Sequence, residues 1–327
     1  MKILCMILVC VATVMSFSCT RSKEKEHITV LLDWTPNTNH TGLYVAEAMG
    51  YFADENIHVT IIQPSEGTAA SLVAAGKAQF GFSYQEEVTY ALTADEPLPI
   101  VAIAAVIQHN TSGFASLKEK NIMKPMDFEG KRYGGWGAPM EDMLLRDLMT
   151  RIGGNFNKIR MVNIGASDFF TASKKDIDFG WIFYGWDGIN AETKNIPLHF
   201  TYLRDIDPVY DYYTPVIITN RSNITANKAL VTRFMRALSR GYAYAIAEPD
   251  ASAEILIKAV PEFSTQKDFI IASQRYLAAH YKSDASVWGM MDSAVWKRFA
   301  DWMYSNMLIT RPLTVDEAFT NEFIPKQ

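Results

Sequence analysis

The feature that most constrains the fold is a regular alternation of strand-like and helix-like segments in the first third of the chain. "HITVLLD", "IHVTIIQP", "AQFGFS" and "LPIVAIAAVI" have the composition of buried strands, and helical patterns occupy the stretches between them, such as "GLYVAEAMGYFADEN", which ends near Gly50. Strands that alternate with helices form mostly parallel sheets covered on both faces. The alternation therefore predicts an α/β fold with a doubly wound sheet.

A second unit of the same kind begins after residue 113, with strands in "KRYGG", "IRMVNIG", "DFGWIF" and "PLHFTYL". The strand "YYTPVIITN" contains Pro215, which places it at an edge or a crossover, and the chain from residue 222 onward is almost entirely helical. We predict crossovers near 110–117 and 211–219, with residues 28–112 and 213–327 in lobe 1 and residues 113–212 in lobe 2. A two-strand hinge between lobes creates a cleft, which is a preferred ligand site.

The N-terminus carries the pattern of an exported protein. Residues 1–18 contain Lys2 and an apolar run too short to span a bilayer, as in a signal peptide. "SFSC" and the polar stretch after it resemble a lipobox and a tether over residues 19–27, so we predict lipidation at Cys19. The acyl chains would anchor the protein on the periplasmic or extracellular face of the cell membrane. Ordinary cleavage that releases a soluble protein is the alternative.

Composition excludes several classes of site. The net charge is −5 and the basic residues are scattered, which gives no case for nucleic-acid binding. All three cysteines lie at or before Cys19, so the mature chain has neither disulfides nor structural cysteine–zinc sites. The six histidines show no metal-ligand spacing. We therefore predict no cofactor and no metal.

The first strand ends in an acid and a tryptophan, Asp33 and Trp34, beside a polar loop that contains Asn39. Ligands of open α/β sheets bind at the carboxyl ends of strands. A Trp face can stack on a flat ring, and a carboxylate accepts hydrogen bonds from ring amino groups. Core packing of the tryptophan and turn formation by the polar residues are the structural alternatives. His40 is expected to close the loop.

Two further strand ends and one helix start supply more candidates. The stretch "PSEGTAAS" places backbone donors at a helix N-terminus, where a self-cap is the alternative to ligand contact. The stretch "FSYQEE" ends another strand, and Glu86 is a weaker candidate within it. We predict ligand contacts here from Glu66, Gly67, Thr68, Ser83 and Tyr84.

In the second unit, "YGGWGAPMED" lacks the Lys of a phosphate-binding loop, and its acids would repel phosphate. We predict that Trp136 stacks on a ligand and that Glu141 binds it or complements the helix dipole. In "WIFYGWDGI", we assign Trp181 to the core, and we assign Tyr184, Trp186 and Asp187 to the cleft. The predicted site is acidic and aromatic and contains no Lys or Arg, which favours an amine-bearing heterocycle over an anion.

The motifs "LDWTPNTNHTGLYVAEAMGYF", "GTAASLVAAGKAQFGFSYQEE", "GKRYGGWGAPMEDMLL" and "FYGWDGINAE" together resemble substrate-binding proteins of ABC importers. More narrowly, they resemble the thiamine-pyrimidine-binding branch, related to the thiamine-pyrimidine synthases. The resemblance implies a type II periplasmic-binding-protein fold that closes around its ligand. Relatives of this branch would carry an acid, commonly Glu, where this chain has Asp187.

The resemblance implies a monomeric, non-catalytic receptor with no cofactor. It would capture a formylaminopyrimidine or hydroxymethylpyrimidine type of thiamine precursor and deliver it to an ABC permease and its ATPase. Alternatives are a receptor for riboflavin, a sulfonate or another small heterocycle, a ligand sensor, and a pyrimidine-synthase-like enzyme. The cysteine-rich iron-site motif that the resemblance associates with such synthases is absent from the mature chain.

Overall fold

The computed structural model describes residues 25–165 and 167–326, so the predicted signal peptide and Cys19 lie outside the described residues. The chain forms two five-stranded sheets. The strands, in chain order, are β1 Glu26–Leu31, β2 Ile57–Ile62, β3 Phe80–Ser83, β4 Ile100–Ala105, β5 Ser112–Leu117, β6 Arg132–Gly135, β7 Arg160–Asn163, β8 Phe179–Phe183, β9 Leu198–Tyr202 and β10 Val216–Asn220. This architecture confirms the predicted α/β class.

Both sheets have the same topology. The first has the order β2-β1-β3-β10-β4 and the second has the order β7-β6-β8-β5-β9. In the first sheet, β1 is parallel to β2 and β3, whereas β10 is antiparallel to both of its neighbours. In the second sheet, β5 takes the antiparallel position between β8 and β9. Each sheet therefore receives one antiparallel strand, reached by the chain through a crossover.

Helices cover both sheets. Their bounds, in chain order, are α1 Thr41–Ala48, α2 Tyr51–Asp54, α3 Ala69–Ala74, α4 Gln85–Thr93, α5 Pro139–Arg151, α6 Phe169–Ser173, α7 Ile189–Thr193, α8 Leu203–Ile206, α9 Arg221–Ala226, α10 Lys228–Ala247, α11 Pro249–Ala259, α12 Lys267–Tyr281, α13 Ser293–Ser305 and α14 Val315–Ala318. Within the described residues, none of these helices is long and apolar enough to cross a membrane.

Three local predictions differ from the structure. The helix expected to run to Gly50 ends at Ala48, because Gly50 adopts a left-handed conformation with φ 75° before α2 starts. The prediction of an edge position for the Pro215 strand is wrong: β10 lies inside its sheet, and the proline sits one residue before the ladder, in the crossover. Strand β5 went unrecognised because its Ser, Gly and Ala residues are weak strand formers.

The composition of β5 has a packing reason. A Cβ added to Gly113 would lie 2.2 Å from the carbonyl oxygen of Thr201 on the neighbouring strand. Only glycine allows the two backbones to approach this closely in the centre of the sheet. A tertiary contact, which local sequence does not encode, therefore decides the residue at this position.

An ion-pair cluster ties the two crossovers together. His109, which lies between β4 and β5, approaches Asp211 at 2.6 Å and Asp284 at 3.0 Å. The hydrogen bond with Asp211 raises the pKa of His109 to about 9, so the imidazole is charged at neutral pH. The other Asp211 oxygen accepts a 2.8 Å hydrogen bond from the N–H of Asn110. These contacts hold the two connecting segments in register where the sheets join.

Candidate functional site

A cavity of about 430 Å³ lies between the two sheets and is lined by residues from both. This volume is within the range of small-molecule sites, about 300–1,000 Å³. Of the predicted ligand-binding residues, those that line it are Asp33, Trp34, Asn39, Thr68, Tyr84, Trp136, Trp186 and Asp187. Because the carboxyl ends of β1, β3 and β8 lead into it, the cavity occupies the position where ligands of open α/β sheets bind.

The orientation of Asp33 is fixed by His40, which is fully buried. The N–H of Asn37 donates a 3.1 Å hydrogen bond to Nδ1 of His40, so this nitrogen carries no proton. Nε2 of His40 therefore carries the proton and donates to Oδ1 of Asp33 at 2.7 Å. His40 holds the acid and shapes the loop, and it does not itself line the cavity.

Two tryptophans at the cavity present unusually exposed rings. Trp34 is 57% exposed and Trp136 is 47% exposed, although large aromatic side chains are normally buried. The Trp136 ring lies 5.2 Å from that of Trp181, which lines the cavity and is also part of the hydrophobic core of the second sheet. Rings held open in this way can stack on a flat ligand, and a ligand would remove their apolar surface from water.

A π-helical turn, Tyr184–Gly188, follows β8 and carries Trp186 and Asp187. The Trp186 ring packs edge-on against Phe269 of α12 at 4.6 Å. The Asp187 carboxylate accepts a 3.3 Å hydrogen bond from the N–H of Phe183, and burial raises its pKa to about 6. A turn of this irregular kind is frequent at functional sites.

The cavity is strongly one-sided in charge. Glu86 and Glu87 line it together with the predicted acids, and no Lys or Arg among the described residues does so. Burial, and after it the charges of Glu87 and Glu141, raise the pKa of Glu86 to about 7. Sequence reasoning missed Tyr90 and Tyr212 as lining residues. Tyr90 could have been found, since it stands one helical turn after Glu86, but no local pattern singles out Tyr212.

Four predicted ligand-binding residues do not line the cavity, which corrects the prediction for each of them. Glu66 and Gly67 are exposed, and the chain reaches the cavity only at Thr68, which caps α3. Ser83 is fully buried, and its hydroxyl donates to Glu87 at 2.5 Å. Tyr184 occupies the other side of the π-helical turn and donates its hydroxyl hydrogen to the neighbouring helix α7.

The fifth correction concerns Glu141, which is 2% exposed and does not line the cavity. Its carboxylate accepts hydrogen bonds from the Tyr133 hydroxyl at 2.7 Å and from the N–H groups of Trp136, Gly137 and Ala138 at 3.2, 2.7 and 2.9 Å. Four donors converge on this one group, so Glu141 shapes the loop that presents Trp136.

We expect Glu141→Gln to lower the free energy of unfolding by about 1–3 kcal/mol, because the amide nitrogen cannot accept the hydrogen bonds that one carboxylate oxygen accepts. Urea unfolding measures this change. The exposed, nearby Asp142→Asn serves as the control and should leave stability nearly unchanged, since its contact with Arg146 is at the surface. Equal stability of the two variants would contradict the role given to Glu141.

A buried hydrogen-bond chain joins the loops that carry the two acids. The Ser273 hydroxyl on α12 donates to the carbonyl oxygen of Gly185 at 2.5 Å. Its one hydrogen is used there, so the Thr38 hydroxyl must donate in turn to Ser273, at 2.6 Å. Thr38 lies in the Asp33 loop, and Gly185 lies in the turn of Asp187. Helix α12 thus connects the two walls of the cavity.

Comparison with known proteins agrees with this geometry. Residues 37–252, about two thirds of the chain, match the family model described as NMT1/THI5 like. The chain belongs to the NMT1/THI5-like family. The predicted resemblance to thiamine-pyrimidine-binding proteins and their synthase relatives is confirmed at the level of this family.

Two relatives of this NMT1/THI5-like chain show the spread of the family. A protein named formylaminopyrimidine-binding protein, from Halalkalibacterium halodurans, is 26% identical over 303 residues, which is 90% of each chain. A 4-amino-5-hydroxymethyl-2-methylpyrimidine phosphate synthase from Legionella pneumophila is 24% identical over 315 residues, 93% of this chain and 94% of its own length. The family therefore contains proteins named as binders and proteins named as enzymes.

The fold has solved counterparts. The periplasmic aliphatic sulphonate binding protein SsuA from Escherichia coli superposes with a TM-score of 0.69 at 15% identity, covering 89% of this chain and 91% of that one. This similarity confirms the predicted type II periplasmic-binding-protein fold for the NMT1/THI5-like chain. At this level of identity it carries no information about the ligand.

Proposed function

We propose that this protein is the solute-binding component of an ABC importer and that it captures an aminopyrimidine of the thiamine-precursor type in the cavity between its lobes. The observation that carries the proposal is the cavity wall: acids and aromatic rings from both sheets converge there, without Lys or Arg among the described lining residues. Carboxylates accept hydrogen bonds from exocyclic and ring amino groups, and aromatic faces stack on the flat ring.

The charge of the wall separates this ligand class from the anions bound by proteins of the same fold. A sulfonate buried beside Asp33, Glu86 and Asp187 would meet three carboxyl groups and no cationic side chain among the described lining residues. Desolvating an anion without such partners is costly. The relative named for formylaminopyrimidine binding supports the same class, since it matches 90% of this chain.

Capture would work through the two walls. Asp33 and Trp34 follow a strand of the first sheet, and Trp186 and Asp187 follow a strand of the second, so a ligand between them contacts both lobes. A ligand that contacts both lobes stabilises the closed arrangement by the difference in its affinity for the closed and open states. Closed protein is then the form presented to the permease and its ATPase.

The remaining parts of the proposal follow from the N-terminal sequence and from the family. We propose that the chain is exported, that a lipid at Cys19 keeps it on the membrane surface, and that it works as a monomer without a cofactor. The family also contains a named pyrimidine phosphate synthase. A binding role is preferred, because the relative at 26% identity is named for binding alone.

The test is a thermal-shift panel with formylaminopyrimidine, hydroxymethylpyrimidine, thiamine, riboflavin, taurine and nitrate. Ligand at ten times its Kd stabilises the folded protein by about 1.4 kcal/mol, which is enough to move the midpoint. We expect a shift with the aminopyrimidines. A shift with riboflavin alone would change the ligand class, and a shift with only taurine or nitrate would overturn the proposal.

For the bound aminopyrimidine, we expect Asp187→Asn to weaken binding about tenfold, because an amide is a poorer acceptor than a carboxylate and replaces an acceptor oxygen with a donor. Titration calorimetry measures the change. Asp142→Asn, an exposed acid of the same lobe, is the matched control and should bind like the unsubstituted protein. Equal affinity of all three proteins would exclude Asp187 from the ligand contact.

A further inference from the structure

The cavity contains one acid that differs from the others in its partners. Asp33 is hydrogen-bonded to His40, and Glu87 accepts a hydrogen bond from Ser83. Glu86 lines the same cavity and is largely buried, yet its carboxyl group has neither a hydrogen bond nor an ion pair with any described residue. A buried carboxyl without a partner is costly, so its retention calls for an explanation.

Two tyrosine hydroxyls beside Glu86 are in the same condition. Tyr90 follows Glu86 by one turn of α4, and its enclosed hydroxyl has no hydrogen-bond partner in the described chain. Tyr212 is 3% exposed, lines the cavity and stacks on Phe299 at 4.1 Å, and its hydroxyl likewise bonds to no described residue. Burial, and after it the charge of Glu86, raises the pKa of both tyrosines, so the three groups lie within electrostatic reach of one another.

The three groups need both kinds of partner. An ionised carboxylate only accepts hydrogen bonds, whereas each phenol O–H has a hydrogen to donate. A primary ammonium group satisfies the carboxylate but offers no acceptor for the hydroxyls. An amide or a hydroxyl group offers a donor and an acceptor on adjacent atoms or on the same atom, and it satisfies both sides at once.

We propose that Glu86, Tyr90 and Tyr212 form a second polar subsite of the cavity, which binds an uncharged amide or hydroxyl substituent of the ligand. Glu86 accepts the N–H or O–H of the substituent, and Tyr212 donates to its oxygen. This inference rests on the proposed function, since it assigns the end of the cavity that takes the side arm of the heterocycle. The ring amino group is left to Asp33 and Asp187.

The experiment compares four ligands that differ only in the side arm: formylaminopyrimidine, hydroxymethylpyrimidine, and the aminomethyl and methyl analogues of the same ring. Dissociation constants are measured by titration calorimetry for the unsubstituted protein and for Tyr212→Phe. We expect the loss of the hydroxyl to weaken the amide and hydroxyl ligands about tenfold and to leave the methyl analogue unchanged, because only the first two have an oxygen that Tyr212 can reach.

The adjacent Tyr213→Phe is the matched control. Its hydroxyl accepts from the N–H of Asp292 at 2.8 Å, and Tyr213 does not line the cavity. We expect it to leave the order and spacing of the four affinities unchanged. Glu86→Gln should weaken the amide and hydroxyl ligands and spare the methyl analogue, as Tyr212→Phe does.

Three outcomes would overturn the subsite. An equal loss for the methyl analogue in Tyr212→Phe would mean that Tyr212 only supports the fold. Tightest binding of the aminomethyl ligand, with no effect of Tyr212→Phe on any ligand, would mean that Glu86 binds a cation. Failure of all four pyrimidines to bind would overturn the proposed function together with the subsite, whereas the first two outcomes leave the proposed function standing.

Discussion

Glu86→Gln is expected to make the ligand-free protein more stable at pH 8, by about 2–3 kcal/mol. The unsubstituted carboxyl group is desolvated in the cavity, stands near Glu87 and Glu141, and has no hydrogen bond with any described residue, and together these raise its pKa from 4.5 to about 7. A pKa that differs by one between the folded and unfolded states corresponds to about 1.4 kcal/mol of stability. A neutral amide of the same shape avoids the cost of the buried charge.

The pH dependence of this gain has a definite sign. Because the pKa of Glu86 is higher in the folded state, the folded protein binds more protons than the unfolded chain between pH 4.5 and about 7. The stability contributed by this group therefore falls as pH rises through that window. The advantage of Glu86→Gln should be complete above pH 7 and absent near pH 4.5, where the carboxyl is protonated to a similar extent in both states.

Urea unfolding of the ligand-free proteins at both pH values measures the effect, and Glu87→Gln is the matched control. Glu87 is the next residue, but its carboxylate already accepts the Ser83 hydroxyl. Its substitution should give no gain in stability at pH 8. If Glu86→Gln were equal to or less stable than the unsubstituted protein at pH 8, the carboxyl group would have a compensating partner in the folded protein, and the reasoning for the second subsite would lose its basis.

Sequence predicted the fold from the periodicity of a few strongly patterned segments. The continuous apolar run that became β4 and the helix that begins at Pro139 were recognisable because local composition and tertiary burial agree there. Strand β5 was missed because a long-range contact, the close approach of Gly113 to Thr201, selects its residues. The prediction for Pro215 was wrong about the edge because the proline stands just outside the hydrogen-bonded ladder.

The candidate site was partly predictable for a similar reason. Side chains that follow strand ends, such as Asp33 and Trp34, were identified because strand ends converge at one edge of a sheet. Glu141 was misassigned because sequence cannot show that four donors surround its carboxylate. Tyr212 was missed because the crossover brings it to the cavity, and residues in a crossover have no periodic signal that marks their facing.

The C-terminal helix α13 contributes to both lobes, a feature that a division of the chain by sheets does not reveal. Trp296 packs in the core beside the first sheet, where it stacks on Phe319. Two turns later, Trp302 belongs to the core of the second sheet, and its Nε1 donates to Asp147 at 2.7 Å. Asp147 also accepts from the hydroxyl of Tyr210 at 2.6 Å. One helix therefore supplies aromatic anchors to two cores.

We expect Trp302→Ala to lower the free energy of unfolding by about 3–5 kcal/mol, because it removes a side chain that is only 5% exposed and leaves a cavity between α13 and the second lobe. Urea unfolding followed by circular dichroism measures the loss. Trp302→Phe separates packing from hydrogen bonding: it keeps an aromatic ring against Phe299, 5.7 Å away in the parent, and loses the bond to Asp147. Its cost should therefore be smaller, about 1–3 kcal/mol. If Trp302→Ala changed stability by less than about 1 kcal/mol, well below the range for such a truncation, α13 would not be part of the second core, and the lobes would be joined by their crossovers without it.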